Sequence, residues 1–357
     1  MAKAHNLKPK NNAKNNHTKQ TTMNANFLRL YQPSDAYAYN SDSLLLVDFA
    51  KMFLAPHTLP HFHPRFQPRK SNANPINLID IGAGCGIIGL LCAKHFGTLS
   101  YLIEINKSMA NLAYINATTN NDCLESNTIK SNAQKEQKFT QTQISQNQTF
   151  LPKNASKCPL ARVHNIDFLD SSLPQILSQA LRQNLSPKAK SNNEKSLQNP
   201  TKAHFCISNP PFYPDSALRS HNPHLCQARY ASSMPLEKWI PQAKKVLLPR
   251  GGLIFCYHPS DLPRVFTVLK NNSFTPEVLR LVYPLQERES SLALIYARLD
   301  SNSTLKIYPP LFTHNSNGNN HAQQNNFSPE VANIYATYRT HSIKVGIDSI
   351  DTDWLHC

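Results

Sequence analysis

Glycine is scarce in this chain: there are nine in 357 residues, and none between positions 98 and 250. A sequence so sparing has concentrated glycine where the backbone must turn tightly or approach something closely, and four of the nine stand at 82, 84, 86 and 89. Long apolar runs are missing too. None reaches the roughly 18 residues that a membrane-spanning helix needs, and the basic, Asn-rich N-terminus has no apolar stretch of the kind a secretion signal carries. The eight cysteines form no CxxC pair and no His–Cys cluster at zinc spacing, so neither a metal site nor a disulfide framework is expected, and a reducing, cytoplasmic setting fits best. Acid is short as well. Asp+Glu number 22 against 37 Lys+Arg, a net charge of +15, and the pI is near 9.4. Five of those charges are Lys3, Lys8, Lys10, Lys14 and Lys19, in a stretch with no acid; the other ten sit on the body. A polyanionic partner is one reading of the surplus, because each phosphate contact releases counterions, and a basic tail is the other.

What is present alternates. INLIDI (76–81), LSYLIEI (99–105), RVHNID (162–167), HFCIS (204–208), GLIFCYH (252–258), PEVLRLVY (276–283) and SLALIYARL (291–299) read as strands. Helical stretches at 86–96, 107–118, 171–183, 235–248 and 260–271 separate most of them. Strands that are apolar almost throughout, alternating with helices, predict an α/β fold built on a parallel, doubly wound sheet. The last two strands follow each other across the short PLQERES connection, which predicts an antiparallel hairpin at the sheet edge.

Residues 119–158 and 183–202 break the rhythm. They are dominated by Asn, Gln, Ser, Thr and Lys, a composition that cannot bury enough surface to offset chain entropy. They read as low-complexity insertions, either padding or a source of weak contacts through their lysines. The expected organisation is a basic arm over 1–25, one catalytic-type α/β domain over 26–300, and a partly ordered tail over 301–357.

The strongest local signal is Asp80-Ile81-Gly82-Ala83-Gly84-Cys85-Gly86, directly after a strand and opening a helix. Such a turn lets backbone amides approach a ligand, and the helix N-terminus favours negative charge there. A dinucleotide and the methionine carboxylate of S-adenosylmethionine both satisfy that description, and the spacing also resembles the dinucleotide fingerprint G-x-G-x-x-G. Glu104, ending the second strand, suits both hydroxyls of a ribose in either case. Asp167, after the third, could hold the cofactor's adenine amine or cap a helix.

Asn209-Pro210-Pro211-Phe212-Tyr213 follows the fourth strand and separates those cases. The NH₂ nitrogen of adenine, guanine or a carboxamide is a poor nucleophile because its lone pair is delocalised. Two acceptors aimed at its N–H bonds, the Asn209 side-chain oxygen and the Pro210 carbonyl, make that lone pair available for attack on a methyl group. Prolines donate no hydrogen bond and restrict the backbone, which keeps those acceptors in place. Phe212 offers a face for a planar target to stack on, or is a core aromatic; Tyr213 stands beside it.

With these residues in view, the chain resembles the class I amino-methyltransferases, and within them the bacterial tRNA(Val) adenine-N6-methyltransferases. The opening Leu30-Tyr31-Gln32-Pro33, the stretch Tyr37-Ala38-Tyr39-Asn40-Ser41-Asp42-Ser43-Leu44-Leu45-Leu46, PRGGLIFCYHPSDLPRVFTVLKNNSF, LRLVYPLQERESSLALIYARL and LKIYPPLFTHN followed by SPEV look like that family's flanks and tail. The likeness covers about 28–118, 160–182 and 203–333, departing where Ala36 and Ala38 flank Tyr37. It implies a Rossmann-like class I methyltransferase fold with a seven-stranded, mostly parallel sheet and an antiparallel last strand. It also implies S-adenosylmethionine as cofactor, held by Asp80, Gly82, Ala83, Gly84, Gly86, Glu104, Asp167 and Asn209. The implied chemistry is N6-methylation of the anticodon-adjacent adenine by Asn209, Pro210, Pro211 and Phe212, with Phe212 and Tyr213 against the base, no metal, and a monomeric enzyme bound to tRNA.

Rival readings share the core. A release-factor glutamine-amide methyltransferase would carry a helical N-terminal domain, whereas only about fifty residues precede the sheet here and half are basic arm. A guanine-N2 rRNA methyltransferase could look much the same. A DNA-adenine enzyme lacks room for a target-recognition domain, and a binding-only RNA protein sits badly with intact Gly82, Gly84, Gly86, Glu104 and Asn209.

Overall fold

The computed structural model describes residues 27–34, 40–55, 75–120, 160–183, 201–212, 231–315 and 326–346. The basic arm, nearly all of both low-complexity insertions, and Ala36, Tyr37, Ala38, Tyr39 and Tyr213 lie outside them.

Seven long strands make the central sheet: β2 (Asn77–Ile81), β3 (Leu99–Glu104), β4 (Ala161–Asn165), β5 (Ala203–Ser208), β6 (Leu247–Tyr257), β7 (Phe274–Tyr283) and β8 (Leu292–Leu299). Every residue of β2 and β8 is buried, as apolar strands covered on both faces require. Two short tail strands, β9 (Lys306–Ile307) and β10 (Leu311–Phe312), add to β7, and the order across the sheet is β10-β7-β8-β6-β5-β2-β3-β4. Only β8 runs antiparallel to its long neighbours. The β7–β8 hairpin expected at the edge is present but does not close it: β8 inserts between β6 and β7, and the tail strands take the outer position. Pro309 and Pro310 split the LKIYPPLF segment into these two short pieces, since neither proline can donate to a ladder.

Helices cover both faces. α2 (Ile87–Phe96) and α3 (Lys107–Thr119) connect β2 to β3 to β4, and α4 (Leu173–Gln183), α5 (Leu236–Val246) and α6 (Leu262–Asn271) serve the connections on the other side. In α4, Leu173, Leu177, Ala180 and Leu181 recur on one face and are buried, while the intervening residues meet solvent. A further helix, α1 (Ser41–Leu54), packs against α2, β6 and β8, with Phe53 stacked on Tyr296 at 3.9 Å between centroids. A tail helix, α7 (Pro329–Thr337), packs on α1, and just beyond it Tyr338 donates to Asp48 Oδ1 at 3.3 Å.

A second, two-stranded sheet joins β1 (Leu28–Pro33) to β11 (Thr340–Val345) in parallel, Leu28 opposite Thr340. The other side of β1 is bonded by two asparagines one turn apart, one in α3 and one just past its end. Asn120 Oδ1 accepts from Arg29 N at 2.8 Å and its Nδ2 donates to Arg29 O at 2.7 Å. Asn116 does the same for Tyr31, at 2.7 and 3.0 Å. Their carboxamides thus stand in for a neighbouring strand, matching the two-residue repeat of β1 to the four-residue repeat of the helix.

Candidate active site

The glycine loop is built to leave space. Gly82, Gly84 and Gly86 all have positive φ, at 68°, 56° and 89°, a region that costs other residues strain. Gly82 N and Ala83 N both donate to Ile103 O at 3.0 Å, which ties the loop to the end of β3. A side-chain carbon at Gly86 would meet Leu102 Cδ1 at 2.9 Å, and one at Gly89 would meet Leu102 Cδ2 at 2.2 Å, so these two glycines let α2 sit against β3. Over Gly82 nothing lies within 4 Å, and over Gly84 only the tip of Met109, at 3.6 Å. The open side of the loop is therefore where a bound group fits.

Two buried carboxylates flank it. Asp80 is fully buried, and its Oδ2 accepts from Gly89 N at 2.8 Å while Oδ1 has no partner. Burial lifts its pKa to about 7. It holds the first turn of α2 from inside. Glu104 Oε2 accepts from Gly84 N and its Oε1 from Asn106 N, both at 2.8 Å, so one carboxylate bridges the glycine loop and the start of α3. Burial raises the pKa of Glu104, opposed by those amides. Beside it Ile105 is 49% exposed, an apolar surface that a flat ring can cover. Asn165 Nδ2 donates to the carbonyls of Glu104 and Ile105 at 2.9 and 3.0 Å and holds the end of β4 alongside. Asp167 is exposed there, and its Oδ1 accepts from Leu169 N at 2.9 Å, closing a local turn ahead of the helix that begins at Leu173, so it caps no helix.

Ser208, the last residue of β5, donates its hydroxyl to Ile81 O at 2.9 Å. That bond sets Asn209 beside the entry to the glycine loop. The Asn209 Oδ1 accepts from Cys256 Sγ at 3.0 Å, and its Nδ2 donates to Ser43 Oγ at 3.4 Å. Pro210 is buried, and Phe212 is 9% exposed with its ring tilted against Tyr257, 5.9 Å between centroids. The Tyr257 hydroxyl is buried with no partner. From α1, Asp42 accepts from Asn40 Nδ2 at 2.8 Å, and burial raises its pKa.

Sequence reasoning thus located Gly82, Ala83, Gly84, Gly86, Glu104 and Asn209 around one loop, and left out Ser43, Ile105, Cys256 and Tyr257. Ser43 could have been noticed as part of the Asn40–Leu46 stretch. Nothing local marked Cys256, an apolar residue in a buried strand.

A sheet with this strand order, six parallel long strands and one antiparallel strand inserted beside the edge, is the class I S-adenosylmethionine-dependent methyltransferase fold. The sequence model of a family described as Lysine methyltransferase matches residues 44–149, the stretch that carries the glycine loop and Glu104. The fold is thus that of a class I methyltransferase, and the matched stretch carries the glycine loop and the strand-end acid that suit S-adenosylmethionine. No curated protein matches the sequence significantly. Among solved structures, a predicted O-methyltransferase from Agrobacterium tumefaciens is similar at 16% identity and a TM-score of 0.44, covering 85% of this chain and 100% of its own. A delta-N METTL16 MTase domain is similar at 15% identity and 0.40, covering 77% and 89%. A 16S rRNA N2 methyltransferase of T. Thermophilus, in complex with AdoMet and guanosine, is similar at 14% and 0.34, covering 74% and 45%. Among the described residues no cluster of His, Cys, Asp or Glu could hold a metal ion, and no helix is long and apolar enough to cross a membrane.

Proposed function

We propose that this protein methylates the N6 amine of an adenine in tRNA, the anticodon-adjacent adenine of tRNA(Val). The observation that carries the reading is the Asn209 carboxamide at the end of β5, fixed beside the glycine loop by the Ser208–Ile81 bond. S-adenosylmethionine supplies, when bound, a methyl group on a positively charged sulfur. Gly82, Gly84 and Glu104 would hold it, Ile105 offering an apolar surface for a flat ring and Asp167 and Asp80 contributing from the edge and from beneath the loop. Asn209 Oδ1 and the Pro210 carbonyl accept the two N–H bonds of the target amine and free its lone pair. That lone pair would then take the methyl that the bound cofactor supplies as an electrophile, the C–S bond pair staying with sulfur, and the amine would release its surplus proton to water. Phe212, braced by Tyr257, forms the apolar floor under the base, and Tyr213 follows it. Pro211 keeps the loop rigid. Alignment of this kind contributes about 7–11 kcal/mol to a transfer between two bound partners.

Charge favours RNA, since a net +15 suits a phosphate backbone. The choice of tRNA(Val) rests on the resemblance of the flanking segments. A lysine acceptor is less suited: its tetrahedral amine has a localised lone pair and no need of paired acceptors, and the matched family region ends before Asn209. The deciding experiment is transfer of labelled methyl from S-adenosylmethionine to unmodified tRNA, with release factor as a parallel acceptor. Label recovered as N6-methyladenosine supports the reading; label in protein alone removes it.

A further inference from the structure

Asn209 is held at both ends by two elements distant in sequence. Ser43, in the first turn of α1, receives its Nδ2 at 3.4 Å, and Cys256, one residue from the end of β6, donates its thiol to Oδ1 at 3.0 Å. Both are buried, Ser43 to 3% exposure and Cys256 completely. Sulfur accepts hydrogen bonds poorly and a hydroxyl oxygen accepts them well, so the amide nitrogen belongs toward Ser43 and the oxygen toward the thiol. Burial raises the Cys256 pKa well above its ordinary value, which keeps the S–H proton in place.

The orientation matters because an asparagine side chain rotates easily about its last bond. Half a turn would present Nδ2, a donor, to the donor amine of the target. A carboxamide oxygen has two lone-pair sites: the thiol takes one and leaves one for the target. As a weak donor, a thiol can orient that oxygen while drawing little on its acceptor strength. We propose that Ser43 and Cys256 are positioning residues that clamp the Asn209 carboxamide from opposite ends, keeping one lone pair of Oδ1 aimed at the target amine. The inference rests on the role of Asn209 proposed above, and it makes α1 part of the catalytic geometry.

The test compares Cys256→Ala, Cys256→Ser and Ser43→Ala in the full chain, using S-adenosylmethionine and a tRNA(Val) transcript. Cys256→Ala is expected to lower kcat about tenfold with KM and cofactor affinity nearly unchanged, and Cys256→Ser to recover most of that loss. In parallel, the side-chain amide signals of Asn209, assigned by their loss in Asn209→Ala, are followed by ¹⁵N NMR. They are expected to shift and broaden in Cys256→Ala and Ser43→Ala and to return in Cys256→Ser. Unchanged signals in Cys256→Ala overturn the clamp, as does a Cys256→Ser protein that binds cofactor normally yet is as slow as the alanine variant. If the wild-type protein transfers nothing to tRNA, the substrate reading fails and the amide signals still decide the clamp.

Discussion

Asn116 donates its side-chain amide to the Cys85 carbonyl at 2.9 Å, reaching the glycine loop from the third turn of α3. The same side chain exchanges two hydrogen bonds with Tyr31, so one residue couples β1 to the glycine loop. Asn116→Ala is expected to cost roughly 2–3 kcal/mol of stability, three bonds at about 1 kcal/mol each. It should also weaken cofactor binding. Urea denaturation and calorimetry check the pair, and a variant with wild-type values in both would show the tie to be idle.

Asn209→Ala is expected to lower turnover on tRNA by about a hundredfold or more, the scale seen when one oriented polar group is taken from a transition state. Cofactor affinity should change little. Single-turnover methyl transfer measures the first and titration calorimetry the second; retained turnover would remove the role given to Asn209.

Gly84→Val places a β-branched residue at a φ of +56° and fills the open side of the loop. Loss of S-adenosylmethionine binding is expected, with the circular dichroism of the sheet and helices kept. Normal binding would mean that the cofactor lies elsewhere.

The Asp80 carboxyl titrates near pH 4 in an unfolded chain and at about 7 in the fold. The folded state therefore holds the proton across that window. Its contribution to stability is full below about pH 4 and is lost as pH rises through about 7. Asp80→Asn, which cannot titrate, should show a flatter decline of the urea midpoint over the same range. Parallel curves for the two proteins would contradict the assignment.

The parts legible from sequence were those encoded locally. A strand running into Gly82-Ala83-Gly84, an acid closing the next strand and an Asn-Pro-Pro turn each carry their physical cause within a few residues. The strand order was less legible, because placing β8 inside the sheet depends on what β7 and the tail strands do beyond it. β1 and its partner were not legible at all: the alternation in LRLYQP is weak, and what satisfies its backbone comes from Asn116, Asn120 and β11. Ser43 and Cys256 meet Asn209 only through the packing of α1 across β6.

The pairing of β1 with β11 also dictates a sequence of events in time. Leu28 and Thr340 are neighbours in space, yet a ribosome makes one long before the other. Until the last strand emerges, β1 has only Asn116 and Asn120 on one side and offers its other edge to any passing strand. A join closed over so long a separation is among the slowest to form. β1 therefore gains its second neighbour only after β11 has been made, late in the synthesis of the described residues.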